Sequence, residues 1–228
     1  MERVPTPHKA KDNGATGMTP KTDQIQIIPN TRPITTYTKR GLDIVVSVTA
    51  LAFMWPLFLL VALAIKLDSK GPIIFKQKRE GINGNPFMIY KFRSMKVHTE
   101  TSGVTQAKAN DDRVTRVGRF IRKTSIDELP QFVNVLLGDM SVVGPRPHAA
   151  EHNQYYAEKI RNYREREKVK PGITGLAQIS GSRGETETLE KMQTRINLDI
   201  EYIQRQTLWF DIFIILKTPL TLFSKNIY

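Results

Sequence analysis

The chain has 228 residues, a net charge of +12 and no cysteine. Its isoelectric point is near 9.9. That length can bury a sizeable core in one or two domains, and the lack of cysteine excludes a disulfide framework and a thiolate metal site. So large a positive charge calls for an acidic partner: nucleic acid, anionic lipid or a phosphorylated substrate. No nucleic-acid-binding signature accompanies the charge.

Residues 1–36 are rich in Thr, Pro, Lys and Asn and have almost no apolar periodicity, which predicts a disordered tail. The apolar segment after them begins too late for a secretory signal and lacks a clear small-residue cleavage site. Residues 44–65, IVVSVTALAFMWPLFLLVALAI, carry no charge. As a helix they extend roughly 33 Å, enough to cross a bilayer core. Lys39 and Arg40 precede this run and Lys66 follows it, so the positive-inside rule leaves its orientation open. Pro56, after Trp55, removes a backbone hydrogen bond near the middle and bends the helix. The residues allow a single span, which the length favours, or a re-entrant hairpin with both ends on one face.

Gly71-Pro72 ends the helical pattern. Residues 73–79 and 86–92 favour strands, and the Asn83-Gly84 pair between them predicts a β-hairpin. Lys91 and Arg93 at its end are candidate phosphate contacts. Residues 98–112 are polar and read as a loop. Arg113, Arg116, Arg119 and Arg122 recur every third position, close to one helical face that suits water or lipid headgroups.

Residues 122–147, RKTSIDELPQFVNVLLGDMSVVGPRP, come next. Ser125 to Glu128 has the S-x-x-E form of a capping box, which predicts a helix starting there. Leu129, Phe132, Val133, Leu136 and Leu137 give it an apolar face, and Gly138 stops it. Asp127 and Glu128 then sit in its first turn, with Arg122 just before and Arg146 in a rigid Gly-Pro-Arg-Pro turn after. Anions flanked by cations at a helix N-terminus suit phosphate chemistry. They suit ordinary capping equally well.

His148, Glu151 and His152 match H-x-x-E-H, a zinc-peptidase pattern that would place two histidines on one helix face. Residues 154–169 are charged and helical in tone. Residues 170–175 and 178–186 read as loops able to wall a ligand. Leu189, Met192, Ile196 and Ile203 mark a long amphipathic helix. Residues 207–223 are strongly apolar, but Asp211, Lys217 and Pro219 make them an interfacial or core helix rather than a span.

Taken in order, Lys39-Arg40-Gly41-Leu42-Asp43, Lys91-Phe92-Arg93-Ser94-Met95, the 125–147 block and Lys170-Pro171-Gly172-Ile173-Thr174-Gly175 resemble the bacterial sugar transferases, small monotopic polyprenyl-phosphate phosphoglycosyl transferases. The resemblance runs from about Lys39 to Tyr228. It implies a mostly helical α+β fold: a re-entrant membrane helix-break-helix over 37–67, broken at Trp55-Pro56, and a catalytic domain over 68–228 with a β-hairpin and interfacial amphipathic helices. It places the protein on the cytoplasmic face of the bacterial inner membrane, against anionic headgroups, and is compatible with a homodimer.

The implied reaction transfers a sugar-1-phosphate from a UDP-sugar to undecaprenyl phosphate and releases UMP, initiating an exopolysaccharide or capsule. Asp127 would be the nucleophile and Glu128 its partner, as an Mg²⁺ ligand beside Asp127 or as a proton acceptor. The helix start should keep Asp127 ionised. Arg122, Arg146, Lys91 and Arg93 would bind phosphate; Thr174, Gln178, Arg183 and His148 are the sugar and nucleotide candidates. Residues 147–153, residues 183–192 and the terminal 225–228 resemble members that load glucose-1-phosphate. Galactose-1-phosphate is the alternative sugar, and a zinc hydrolase built on His148, Glu151 and His152 the alternative enzyme.

Overall fold

A computed structural model describes residues 36–97, 111–184 and 188–221, without the side chains of Glu151 and His152. The predicted tail, most of the 98–112 loop, residues 185–187 and the terminal 225–228 motif lie outside the described residues. The chain is mostly helical, with two small sheets. Helix α1 spans Thr36–Asp68, with Pro56 inside it. Strands β1 (Ile74–Glu80) and β2 (Pro86–Phe92) form an antiparallel hairpin. Helices α2 (Arg116–Lys123) and α3 (Gln131–Leu137) follow, then β3 (Ser141–Val143) and α4 (Ala150–Lys159). Strand β4 (Gly172–Thr174), short helix α5 (Leu176–Ile179) and helices α6 (Leu189–Gln204) and α7 (Leu208–Thr221) complete it.

Among the described residues α1 alone is long and apolar enough to cross a membrane, and only 11% of its most apolar window is buried. A core helix of a soluble protein is mostly buried, and this one is not. The helix runs through Trp55-Pro56, so the expected break is not a gap in the helix, and a proline at this place bends a helix without ending it.

Both ends of α1 are fastened to the same body. At its start, Lys39 Nζ donates to Asp211 Oδ2 (2.6 Å) and to the Val143 carbonyl (3.0 Å). Arg40 donates to the Val135 and Leu136 carbonyls at 2.5 and 2.7 Å, satisfying orphan acceptors at the end of α3. Asp43 accepts from Ser141 Oγ and the Val142 N–H, both at 2.9 Å. At the other end, Asp68 Oδ2 accepts from the Val117 N–H at 3.0 Å, and Ile65 packs with Phe92 and Ile121. Asp211 has no solvent exposure, so Lys39→Met is expected to cost about 3–5 kcal/mol by leaving a buried carboxylate without its cation. Adding Asp211→Asn should recover most of that loss in a thermal melt.

The hairpin forms as expected, its turn a single 3-10 turn over Ile82–Gly84 with Asn83 in the left-handed region (φ 54°). Asn134 of α3 joins the free edge of β2. Its Oδ1 accepts from the Tyr90 N–H (2.9 Å), and its Nδ2 donates to the Met88 carbonyl (2.7 Å). The amide thus replaces a third strand. Asn134→Leu would orphan both backbone groups and is expected to cost about 2–4 kcal/mol in a denaturant melt.

The 170–175 stretch is not a plain loop. Its β4 pairs in parallel with β3, Ser141 opposite Gly172 and Val143 opposite Thr174. A Cβ on Gly172 would lie 2.1 Å from the Gly144 nitrogen, so this backbone-on-backbone approach requires glycine. Helix α7 buries Asp211 and Ile214 against the core and exposes Trp209, Phe213, Leu216 and Leu220, consistent with the interfacial or core helix expected there.

Candidate active site

The 125–128 segment departs from the capping box. Ser125 adopts the left-handed conformation (φ 58°) and caps nothing. Its hydroxyl instead accepts from Arg183 Nη2. Asp127 and Glu128 lie in a 3-10 turn over Ile126–Glu128, and α3 begins only after Pro130. Proline has no N–H with which to extend an α-ladder back through the turn. A left-handed non-glycine residue is uncommon, and here it turns the chain from α2 into the acidic pair.

The two carboxylates have opposite surroundings. Glu128 is buried. Arg146 grips both its oxygens, Nη2 to Oε1 at 2.5 Å and Nη1 to Oε2 at 2.9 Å. Lys91 Nζ donates to Oε1 at 2.8 Å. The Arg146 and Lys91 charges hold the Glu128 carboxyl well below its usual range. Asp127 is half-buried, and its carboxylate makes no hydrogen bond to any described side chain or backbone group. Burial and the adjacent Glu128 charge push Asp127 up, to about 6, against the pull of Lys91, Arg122 and Arg146. The expected stabilisation by a helix start is missing, because no α-helix begins there.

Lys91, Arg122 and Arg146 therefore converge on the acidic pair. Arg93 does not. Its guanidinium is buried and donates to the Ser69 carbonyl at 2.7 Å and to that of Lys70, at the end of α1. Arg183 reaches the site's edge at Ser125. Thr174 is buried with its hydroxyl 2.7 Å from that of Thr218, tying β4 to α7. Gln178 is buried, and neither atom of its amide has a partner among the described residues.

His148 precedes α4, whose N-cap is Ala149, so it cannot share a helix face with His152 as the zinc pattern requires. Its Nδ1 lies 2.7 Å from both the Tyr163 hydroxyl and Arg166 Nη1. Burial and the Arg166, Arg195 and Arg146 charges hold the ring well below the usual histidine range, a setting that disfavours another cation. Arg166 pairs with buried Asp199 (2.9 Å) and donates to the Arg146 carbonyl (2.5 Å). This network supports the residue that grips Glu128. The sequence reading missed it, although Arg195 and Asp199 sit with Met192, Ile196 and Tyr202 on the buried face of α6; charges at i and i+4 among core positions are a usable signal.

Residues 34–225 match the bacterial sugar transferase family. The chain belongs to that family. This family member is 56% identical over 180 residues to the UDP-glucose:undecaprenyl-phosphate glucose-1-phosphate transferase of Escherichia coli K12, covering 79% of this chain and 39% of that protein. It is 53% identical over 191 residues to the Caulobacter vibrioides protein of the same name, covering 83% and 72%. A UDP-N-acetylgalactosamine-undecaprenyl-phosphate N-acetylgalactosaminephosphotransferase of Aeromonas hydrophila is 44% identical over 192 residues, 84% of this chain and 45% of that protein. The chain thus spans well under half the length of several relatives.

Proposed function

We propose that this protein moves glucose-1-phosphate from UDP-glucose onto undecaprenyl phosphate through a covalent Asp127 intermediate. The observation that carries the reading is the asymmetry of the pair: Asp127 is open, while Glu128 holds Lys91 and Arg146 beside it. An Asp127 oxygen attacks the sugar-bearing phosphorus. The bond from that phosphorus to the bridging oxygen breaks, and UMP leaves with the electron pair. An oxygen of the lipid phosphate then attacks the aspartyl phosphosugar, freeing the carboxylate and forming the lipid diphosphate sugar. A carboxylate approaching a pyrophosphate needs charge compensation, and prepositioned cations provide it without reorganisation. Splitting the displacement lets two bulky substrates use the site in turn.

Among the described residues no group of three or more His, Asp or Glu side chains could hold a metal by itself. Mg²⁺ commonly uses one or two carboxylates plus substrate phosphates, and Asp127 offers open oxygens for that arrangement. Glu128 has two bonds on Oε1 and one on Oε2, so Oε2 is its remaining place for such a contact. Bound there, the ion would neutralise developing charge on the pyrophosphate.

The fastening of both α1 ends to one body supports the re-entrant, monotopic reading over a span, because a span would separate them by the bilayer core. With the nucleotide sugar supplied from the cytoplasm, the working face is cytoplasmic. Glucose is favoured by the closer identity to glucose-1-phosphate transferases than to the N-acetylgalactosamine enzyme. The test is the intact mass of purified protein mixed with UDP-glucose and Mg²⁺ without lipid. A gain of one hexose phosphate, discharged by undecaprenyl phosphate, is expected. An adduct with UDP-galactose alone would keep the mechanism and change the sugar; no adduct with either would overturn the reading.

A further inference from the structure

An apolar cavity of about 460 Å³ lies between α1 and α2. Leu60 and Ala64 are among its lining residues from α1 and Val117 and Phe120 among those from α2; Ile126 also lines it, and Arg116 is the lone charged residue. We propose that this groove seats the prenyl chain of the lipid acceptor and so sets how the lipid phosphate meets Asp127. The inference rests on the function proposed above.

The groove and the acidic turn share a segment, since Ile126 lines the one and Asp127 is the next residue of the other. Helix α2 spans both. Its Val117 and Phe120 line the groove, while its Arg122 is close enough to Asp127 to lower that carboxyl's pKa. The pairing of an apolar trough, with Arg116 in its lining, and a cation beside the neighbouring Asp127 matches an amphiphile with a hydrocarbon tail and a phosphate head. It does not match a nucleotide or a sugar, whose polar groups would find no partners along these walls. The volume falls within the range of about 300–1,000 Å³ usual for small-ligand sites, so it takes only the first part of a long chain. The rest has a continuous path outward: Leu60 and Phe120 are exposed at the mouth, and the neighbouring Leu59, Leu63 and Leu67 of α1 are exposed too.

The two half-reactions separate this proposal from the reading beneath it, because the adduct forms without lipid. The test uses full-length protein in nanodiscs with UDP-glucose and Mg²⁺. Ala64→Trp fills the groove. Leu63→Trp adds the same bulk on the exposed face of α1 outside it. Adduct formation is expected at the wild-type rate in both variants, which also shows that both are folded. Discharge of the adduct by undecaprenyl phosphate is expected to slow at least tenfold in Ala64→Trp and to stay at the wild-type rate in Leu63→Trp. Should Ala64→Trp form no adduct, Leu60→Asp at the mouth carries the same expectation. Equal discharge by wild type and the groove variant would overturn the proposal. So would equal slowing in Leu63→Trp, which would point to bilayer seating or a partner helix, or a phospholipid retained in the groove through turnover. Absence of the adduct in the wild type would instead remove the underlying function.

Discussion

Asp127→Asn is expected to abolish the hexose-phosphate adduct and to lower turnover by at least about 10³-fold, the scale on which removal of a covalent nucleophile acts. The replacement is isosteric, and the wild-type carboxylate has no hydrogen-bond partner among the described residues to lose. Its charge is held in place against burial and against Glu128. A carboxyl whose pKa rises on folding destabilises the folded state once ionised. The asparagine variant is therefore expected to melt no lower than wild type at pH 7. That combination, a dead enzyme with undiminished stability, distinguishes a nucleophile from a cap, whose loss costs about 1 kcal/mol. The same displacement sets the pH profile. The carboxylate is the attacking form, so the rate of adduct formation should fall roughly tenfold per unit as pH drops below about 6. Rapid-quench mass measurement between pH 7.5 and 5 reads it directly. A flat profile over that range would contradict the raised pKa.

Arg146→Ala carries the second large effect: a loss of about 10²–10³ in turnover and about 3 kcal/mol of stability. The guanidinium makes two bonds to Glu128 and shares it with Lys91. Without it, a buried carboxylate retains one cation, and the substrate's phosphates lose a prepositioned charge. Arg146→Lys is not expected to restore activity, because an ammonium cannot make the paired planar contact. Glu128→Gln in the Arg146→Ala background should regain much of the stability and none of the turnover. Melting curves and steady-state rates on the same preparations separate the two roles. Restoration of turnover by lysine would show that charge alone matters at this position.

Lys91 and Arg146 lie 37 and 18 residues from Glu128 along the chain; the residues themselves offered Arg146 as a flanking cation, whereas Lys91 was a phosphate candidate that nothing local tied to the acids. Arg93 shows the reverse. It sits two residues from Lys91 in a basic, β-favouring stretch, yet its guanidinium closes the end of α1. Nothing local distinguishes these two cations; their partners are decided by which segment each one meets in the fold, the acidic turn for Lys91 and the end of α1 for Arg93.

Local chemistry by itself determined the uncharged helix, the hairpin with its Asn-Gly turn, the stop at Gly138, and the amphipathic α6. Each depends on neighbours within a few residues, where periodicity and backbone preference act. Tertiary structure decided the rest. Ser125 lost its cap to a remote arginine, and Pro130 delayed the helix, which left the acidic pair in a tight turn. Within 170–175, Gly172–Thr174 became a strand because glycines 144 and 172 let two backbones touch, a contact no local pattern encodes. The raised pKa of Asp127 and the lowered one of Glu128 arise in adjacent residues of the same charge. Only the folded arrangement, in which the distant Lys91 and Arg146 bond to Glu128 and not to Asp127, separates them.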